Sequence, residues 1–156
     1  MRITLKQAVL FCGLISFTLL ASAFWFEYFV GLYPCKLCIW QRWPHAAILV
    51  LALAGFTIFR SRWVLLLIAV SAMITGIIGL YHAGVEQGLW QGPSGCTNQL
   101  NSTADISSLT EALLAMPVVK CDEIVWSLIG ISMAGWNSIA SFGLAVLALA
   151  FWQKLK

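Results

Sequence analysis

Pro34-Cys35-Lys36-Leu37-Cys38-Ile39-Trp40-Gln41-Arg42-Trp43 lies between two long apolar runs, Ala8 to Phe26 and Pro44 to Phe59. Two cysteines at this spacing either close a readily exchanged disulfide or hold a metal. Which they do depends on the solvent around them, and the flanking runs decide that solvent.

Of the 156 residues, 61% are hydrophobic and 10% charged, with a mean hydropathy of +0.90. Soluble domains carry about 25% charged residues. A single water-soluble domain cannot hide this much apolar surface, so a lipid bilayer must be the solvent for much of the chain. The net charge of +3 comes from nine basic and six acidic residues. The basic residues flank apolar runs and form no extended face, which excludes a nucleic-acid partner.

Two more runs follow, Trp63 to Tyr81 and Ser138 to Trp152. The pattern predicts one membrane domain over 1–156, an all-α bundle of four spans at 8–26, 44–59, 63–81 and 138–152, with outer loops 27–43 and 82–137. A span needs about 20 apolar residues, and about 17 at the least. The second and fourth runs reach this only with their tryptophan-rich flanks in the interface. Trp25, Tyr28, Trp40, Trp43, Trp63, Trp136 and Trp152 all stand at run ends, as interfacial aromatic belts require. The first run is longer than the apolar part of a signal peptide and three more spans follow it, so it reads as a retained helix.

Arg2, Lys6, Arg60, Arg62, Lys154 and Lys156 all fall on one side of this four-span arrangement. Only Lys36, Arg42 and Lys120 fall on the other. The positive-inside rule makes the richer side, with both termini, cytoplasmic. Cys35, Cys38, Cys96 and Cys121 then face the opposite side, where disulfides persist. Cys12 lies in a span and reads as an inert small hydrophobe.

Within the second loop, Gln91-Gly92-Pro93-Ser94-Gly95 is a turn-rich approach to Cys96. Ser108-Leu109-Thr110-Glu111 is a capping box, predicting a short helix that runs to Met116 and ends at Pro117. Ile124, Leu128 and Ile131 share a helical face, so 123–136 is predicted as a helix lying in the interface.

At i and i+3, Cys35 and Cys38 place their sulfurs on one face of a helix that starts beside them. The positive end of such a helix, and Arg42 one turn beyond Cys38, both favour a thiolate, the species that attacks disulfides. Cys96 and Cys121 form a second pair in loop, an exchangeable disulfide open to a protein partner or a structural staple. Zinc bound by all four cysteines is disfavoured, because only one tight Cys-x-x-Cys is present and Cys96 and Cys121 are far apart, so no metal is expected. Two pairs on one side suggest a relay, from a soluble dithiol through the loop pair to the membrane pair and then to a lipid-dissolved quinone. Arg42 would polarise the quinone carbonyl, or else reach for headgroups as interfacial arginines do. His82 is a candidate for a proton step or an interfacial anchor, as is His45. Glu27 and Glu86 read as solvated interface charges.

Four spans, Pro34-Cys35-x-x-Cys38 followed by Arg42, outer-loop Cys96 and Cys121, and the run Cys121-Asp122-Glu123-x-x-Trp126-x-x-x-Gly130-x-x-Met133-x-x-Trp136 together resemble the DsbB family of bacterial disulfide-bond formation proteins. The resemblance covers nearly the whole chain. It implies a quinone-dependent protein disulfide oxidoreductase in the bacterial inner membrane. Such a protein reoxidises a DsbA-like periplasmic thiol oxidase and hands the electrons to ubiquinone or menaquinone. It further implies that Cys96 forms the mixed disulfide with the partner and that Cys121 closes back on Cys96 or pairs with the first site. Cys35 and Cys38 would face the quinone, with Cys38 the thiolate in contact with it, and Arg42 and, less firmly, His82 would hold it. The family often has an acidic residue before that arginine, where this chain has Gln41. Two rival readings are a relay running in the reductive direction and a membrane scaffold with structural disulfides.

Overall fold

The computed structural model describes residues 3–93 and 120–155. Among these residues four helices are long and apolar enough to cross a membrane: α1 (Leu5–Tyr28), α2 (Lys36–Thr57), α3 (Trp63–Glu86) and α4 (Met133–Lys154). At 1.5 Å rise per residue, helices of 22 to 24 residues exceed the roughly 30 Å hydrocarbon core. The chain is thus a multi-pass, four-helix membrane bundle. Cys96 and the helix predicted over 108–116 lie outside the described residues.

Each helix is longer than its apolar run, because helical backbone hydrogen bonding continues into polar flanks that cap it. Thr4 and Gln7 form the capping box of α1. Cys35 caps α2, so that helix takes in the whole Cys-x-x-Cys stretch and passes through Pro44. Proline removes one helical donor, and the Thr75 hydroxyl of α3 donates to the Gln41 carbonyl next to that break, at 3.2 Å. α3 ends in a Schellman motif: Gly88, at φ +70°, lets Leu89 N–H reach the Gly84 carbonyl at 2.9 Å. Trp90 then folds back, its indole donating to the Tyr81 carbonyl at 2.7 Å.

α3 is central, packed along α4 and α2, while α1 lies mainly on α2. Its buried residues Leu65, Ile68, Ala69 and Ala72 meet Leu144, Ala145 and Ala148 of α4. Lipid tails are as apolar as leucine, so helices in a membrane associate by close packing of small residues rather than by the hydrophobic effect. The α3–α4 contact shows this. A Cβ on Gly79 would stand 3.1 Å from the Ala134 carbonyl oxygen and 3.2 Å from Ser138, and Ser138 Oγ donates to the Gly76 carbonyl at 2.9 Å. Gly79→Leu should therefore push the helices apart and cost at least about 1–3 kcal/mol, the usual penalty of overpacking, read as a lower melting temperature in detergent.

Lys6 lies over the Phe56 ring and Arg62 over those of Trp63 and Trp152. These contacts bring Lys6 and Arg62 of the basic cluster to one end of the bundle. Cys35, His82 and Cys121 lie at the other.

The interfacial helix predicted over 123–136 is not there. Ser127–Leu128 and Ile131–Ser132 form a short antiparallel hairpin, pairing Ser127 with Ser132 and Leu128 with Ile131. Its turn residues Ile129 and Gly130 both have positive φ (55° and 75°), the backbone of a two-residue I′ turn. The apolar spacing that suggested a helix arises from a hairpin plus the first turn of α4. The Ser132 hydroxyl, accepting from Gly135 N–H at 3.2 Å, starts α4 there.

Candidate functional site

Because Cys35 is the N-cap, its Sγ takes the place of the usual capping oxygen and accepts the Cys38 N–H at 3.2 Å. The two sulfurs are 3.0 Å apart and share a hydrogen bond. His82, one turn from the end of α3, brings Nε2 to 3.5 Å from Cys35 Sγ. These neighbours, Cys38 foremost, pull the Cys35 thiol from 9.0 down to about 4 in spite of its burial. The N-cap position and the histidine thus favour a thiolate at Cys35, where the resemblance had implied one at Cys38. Arg42 has no part in it. Its guanidinium is bound to the Glu27 carboxylate and lies over the Phe24 ring. Glu27 is accordingly a largely buried ion-pair partner and not the solvated charge the sequence suggested.

Glu86 departs from expectation in the same way. Its side chain is 6% exposed, with Oε1 3.8 Å from His82 Nε2. Cys121, expected in accessible loop, is fully buried and disulfide-bonded, and it packs in one cluster with Cys35, Cys38, Leu37 and Val85. Cys12 is buried in the core, as a small hydrophobe should be.

Behind the dithiol runs a ladder of polar side chains that the sequence reading missed. Ser16 Oγ lies 3.0 Å from His45 Nδ1. His45 Nε2 lies 3.0 Å from Asn137 Oδ1. Asn137 Nδ2 donates to Gln41 Oε1 at 2.7 Å and to Thr75 Oγ1 at 3.2 Å. Gln41 Nε2 donates to the Leu37 carbonyl and faces His82 Nδ1 at 3.0 Å. Since that amide nitrogen is a donor, His82 Nδ1 is the acceptor and the ring proton sits on Nε2, aimed at Cys35. Gln41 thus fixes the histidine tautomer, which puts His82 in the site and gives the residue before Arg42 a role without a carboxylate. The available signal was the presence of His45, Thr75 and Asn137 in or next to apolar runs, since polar residues at membrane depth are rarely idle. Hydrogen bonds in membrane proteins average about 0.6 kcal/mol each. Asn137→Ala removes three and should cost about 2 kcal/mol, seen as a lower melting temperature.

Cys35, Cys38, Arg42, His82 and Glu86 border one cavity of about 340 Å³, walled mainly by apolar side chains such as Leu19, Phe26, Trp126 and Met133. That size and this mix of apolar wall and few polar groups suit a small organic molecule. A buried dithiol at a helix N-cap beside a histidine, a disulfide-bonded cysteine packed against it, and an apolar cavity in a four-span bundle define a membrane thiol–disulfide protein.

Comparison with known proteins narrows the class. Residues 5–151 match the family described as Disulfide bond formation protein DsbB. The chain is 31% identical over 140 residues to disulfide bond formation protein B of Pasteurella multocida, covering 83% of this chain and 75% of that one. It is 30% identical over 157 residues to the protein of that name from Verminephrobacter eiseniae (94% and 86%), and 27% over 164 residues to that of Nitrosococcus oceani (98% and 93%). The chain belongs to the DsbB family, and is a membrane disulfide-bond formation protein.

Proposed function

We propose that this protein reoxidises a DsbA-like periplasmic thiol oxidase and passes the electrons through Cys96/Cys121 and then Cys35/Cys38 to a membrane quinone, ubiquinone or menaquinone. It does so in the bacterial inner membrane, with both termini in the cytoplasm. The observation that carries this reading is the burial of Cys121 in one cluster with Cys35 and Cys38. A staple with no redox part has no need to adjoin a dithiol, whereas thiol–disulfide exchange requires sulfur-to-sulfur contact.

In this reading Cys96 takes the partner's thiol in a mixed disulfide, and Cys121 resolves it. Cys35 holds negative charge when the first pair is reduced. Cys35 and Cys38 both border the cavity, and Cys38, the more exposed of the two, is the sulfur to meet the acceptor. The cavity fits a quinone head, with Arg42 and His82 as polar contacts to it; a quinone bound there supplies the two-electron, two-proton acceptor. His82 keeps a proton on Nε2 between Cys35 and Glu86. The apolar walls and Trp126 keep water from the sulfurs.

The test mixes the purified protein in detergent with a short-chain quinone and a reduced thioredoxin-fold thiol oxidase, and follows quinone absorbance. Absence of quinone reduction sinks the proposal. Cys96→Ser should lose turnover of the protein substrate, while its Cys35/Cys38 pair, reduced chemically, still reduces quinone. Cys121→Ser should accumulate the mixed disulfide through Cys96, and its failure to do so would overturn the order of the relay.

A further inference from the structure

We propose that the reduced Cys35/Cys38 pair, with His82 and Glu86, forms a site for a thiophilic divalent cation of the zinc class. The two sulfurs and a ring nitrogen of His82 all lie within 4.8 Å of one another. Tetrahedral zinc, with Zn–S about 2.3 Å and Zn–N about 2.0 Å, needs sulfur–nitrogen separations of about 3.5 Å and sulfur–sulfur separations of about 3.8 Å. Cys35 Sγ to His82 Nε2 is already 3.5 Å. The sulfurs, at 3.0 Å, have only to part by a small side-chain rotation.

A second observation, independent of the thiols, points to a cation. Glu86 is 6% exposed; its carboxylate has the Ser132 side chain and His82 as neighbours, yet its Oε2 is buried with no hydrogen-bond partner. An unpartnered buried carboxylate oxygen is costly. This one borders the same cavity as the sulfurs, with the other oxygen of its carboxylate 3.8 Å from His82 Nε2. A cation among these four side chains would remove that cost. Two sulfurs, one imidazole nitrogen and one carboxylate suit zinc or cadmium and not magnesium or calcium, which take oxygen ligands.

Cys96 and Cys121 are not needed as ligands, because the fold brings His82 of α3 within 4.8 Å of both sulfurs, with the Glu86 carboxylate beside that ring. Ligation through Nε2 moves the ring proton to Nδ1, and the Gln41 amide, 3.0 Å away, accepts it by turning over together with the Asn137 amide, whose oxygen then takes the Gln41 N–H while its NH2 donates to His45 Nε2. Any thiol still protonated gives its proton to water as the metal–sulfur bond forms, and nothing is oxidised or reduced. A disulfide offers no thiolate, so the site exists only in the reduced state. The cation would hold the pair reduced and block the cavity, whatever the electron acceptor is.

The probe is Cd²⁺, whose thiolate complexes absorb in the ultraviolet, with Zn²⁺ as competitor. The protein is the full chain in detergent carrying Cys96→Ser and Cys121→Ser, so that Cys12, in the core, is the only other thiol. The expected result is one Cd²⁺ per reduced chain, displaced by Zn²⁺, and none after the pair is oxidised with diamide. Glu86→Gln should weaken binding about 10- to 100-fold while leaving the helical circular dichroism unchanged. Cys35→Ser should abolish it. In the unsubstituted reduced chain, Zn²⁺ should slow alkylation of Cys35 and Cys38 at least about tenfold, mapped by peptide mass. Absence of binding to the reduced chain, undiminished binding in Glu86→Gln or Cys35→Ser, or no protection from alkylation would each overturn the site.

Discussion

Cys38→Ser is expected to bring quinone reduction down to the uncatalysed background while leaving a reactive thiolate at Cys35. The sulfur at position 38 is indispensable to a disulfide within the pair, so no turnover through it survives. The charge at Cys35 has separate supports: the Cys38 backbone N–H at 3.2 Å and His82 Nε2 at 3.5 Å. A serine hydroxyl at 38 can still donate to it. The Cys35 thiol is lowered from 9.0 to about 4, so its charged form is present above that pH and is lost as the pH falls through it. The largest cause of that lowering is the Cys38 side chain, which the variant replaces, so alkylation of Cys35 in reduced Cys38→Ser should fall less steeply on acidification than that of an ordinary thiol, its charge held by the backbone N–H and His82 that remain. An ordinary thiol below its pKa loses about tenfold per unit. If the alkylation of Cys35 instead tracks an ordinary thiol, the N-cap and His82 do not hold the charge, and the thiolate belongs on Cys38 as the family resemblance implies.

The placement of that thiolate marks the limit of what the sequence tells. Spacing says that two sulfurs share a face, and the charge rule says they lie together at one membrane surface. Neither says which sulfur is the cap, because that depends on the residue at which α2 begins. Starting at Lys36, it makes Cys35 the acceptor of the Cys38 N–H. Four helices were legible because apolar runs of that length have one use. Their ends were not, since Lys36 to Trp43 and Tyr81 to Glu86 are helical by capping and packing and not by hydropathy. The hairpin at 127–132 was misread because its apolar spacing also fits a helix, and only the positive φ at Ile129 and Gly130 distinguishes the two. The polar ladder was out of reach for another reason. Gln41 and Asn137 are 96 residues apart in sequence yet 2.7 Å apart in space, and a pairing across helices leaves no periodic trace. Glu27 and Glu86 looked solvated because carboxylates near span ends generally are. Their burial is met by Arg42 in one case and by the Ser132 side chain and His82 in the other.

Arg42→Met should destabilise the protein by about 3 kcal/mol, and Glu27→Leu added to it should restore the stability without restoring activity. The two side chains are 18% and 19% exposed, and the guanidinium also lies 4.8 Å from the Phe24 ring centroid. Removing one partner of a buried ion pair costs about 3–5 kcal/mol because the other charge is left without compensation. The residual exposure of both groups places this pair at the low end of that range. Replacing both with apolar residues of similar volume is often neutral, so the double variant should melt near the parent temperature. Activity separates the two roles of the arginine. As a donor to the acceptor's oxygen, its loss should slow quinone reduction about 10²–10³-fold, the usual effect of deleting one such donor, in the single and double variants alike. As a tie between α2 and α1 only, its loss would be made good by the second substitution. Recovery of both melting temperature and turnover in the double variant would therefore remove Arg42 from the quinone site and leave Cys38 and His82 as the contacts to be tested there.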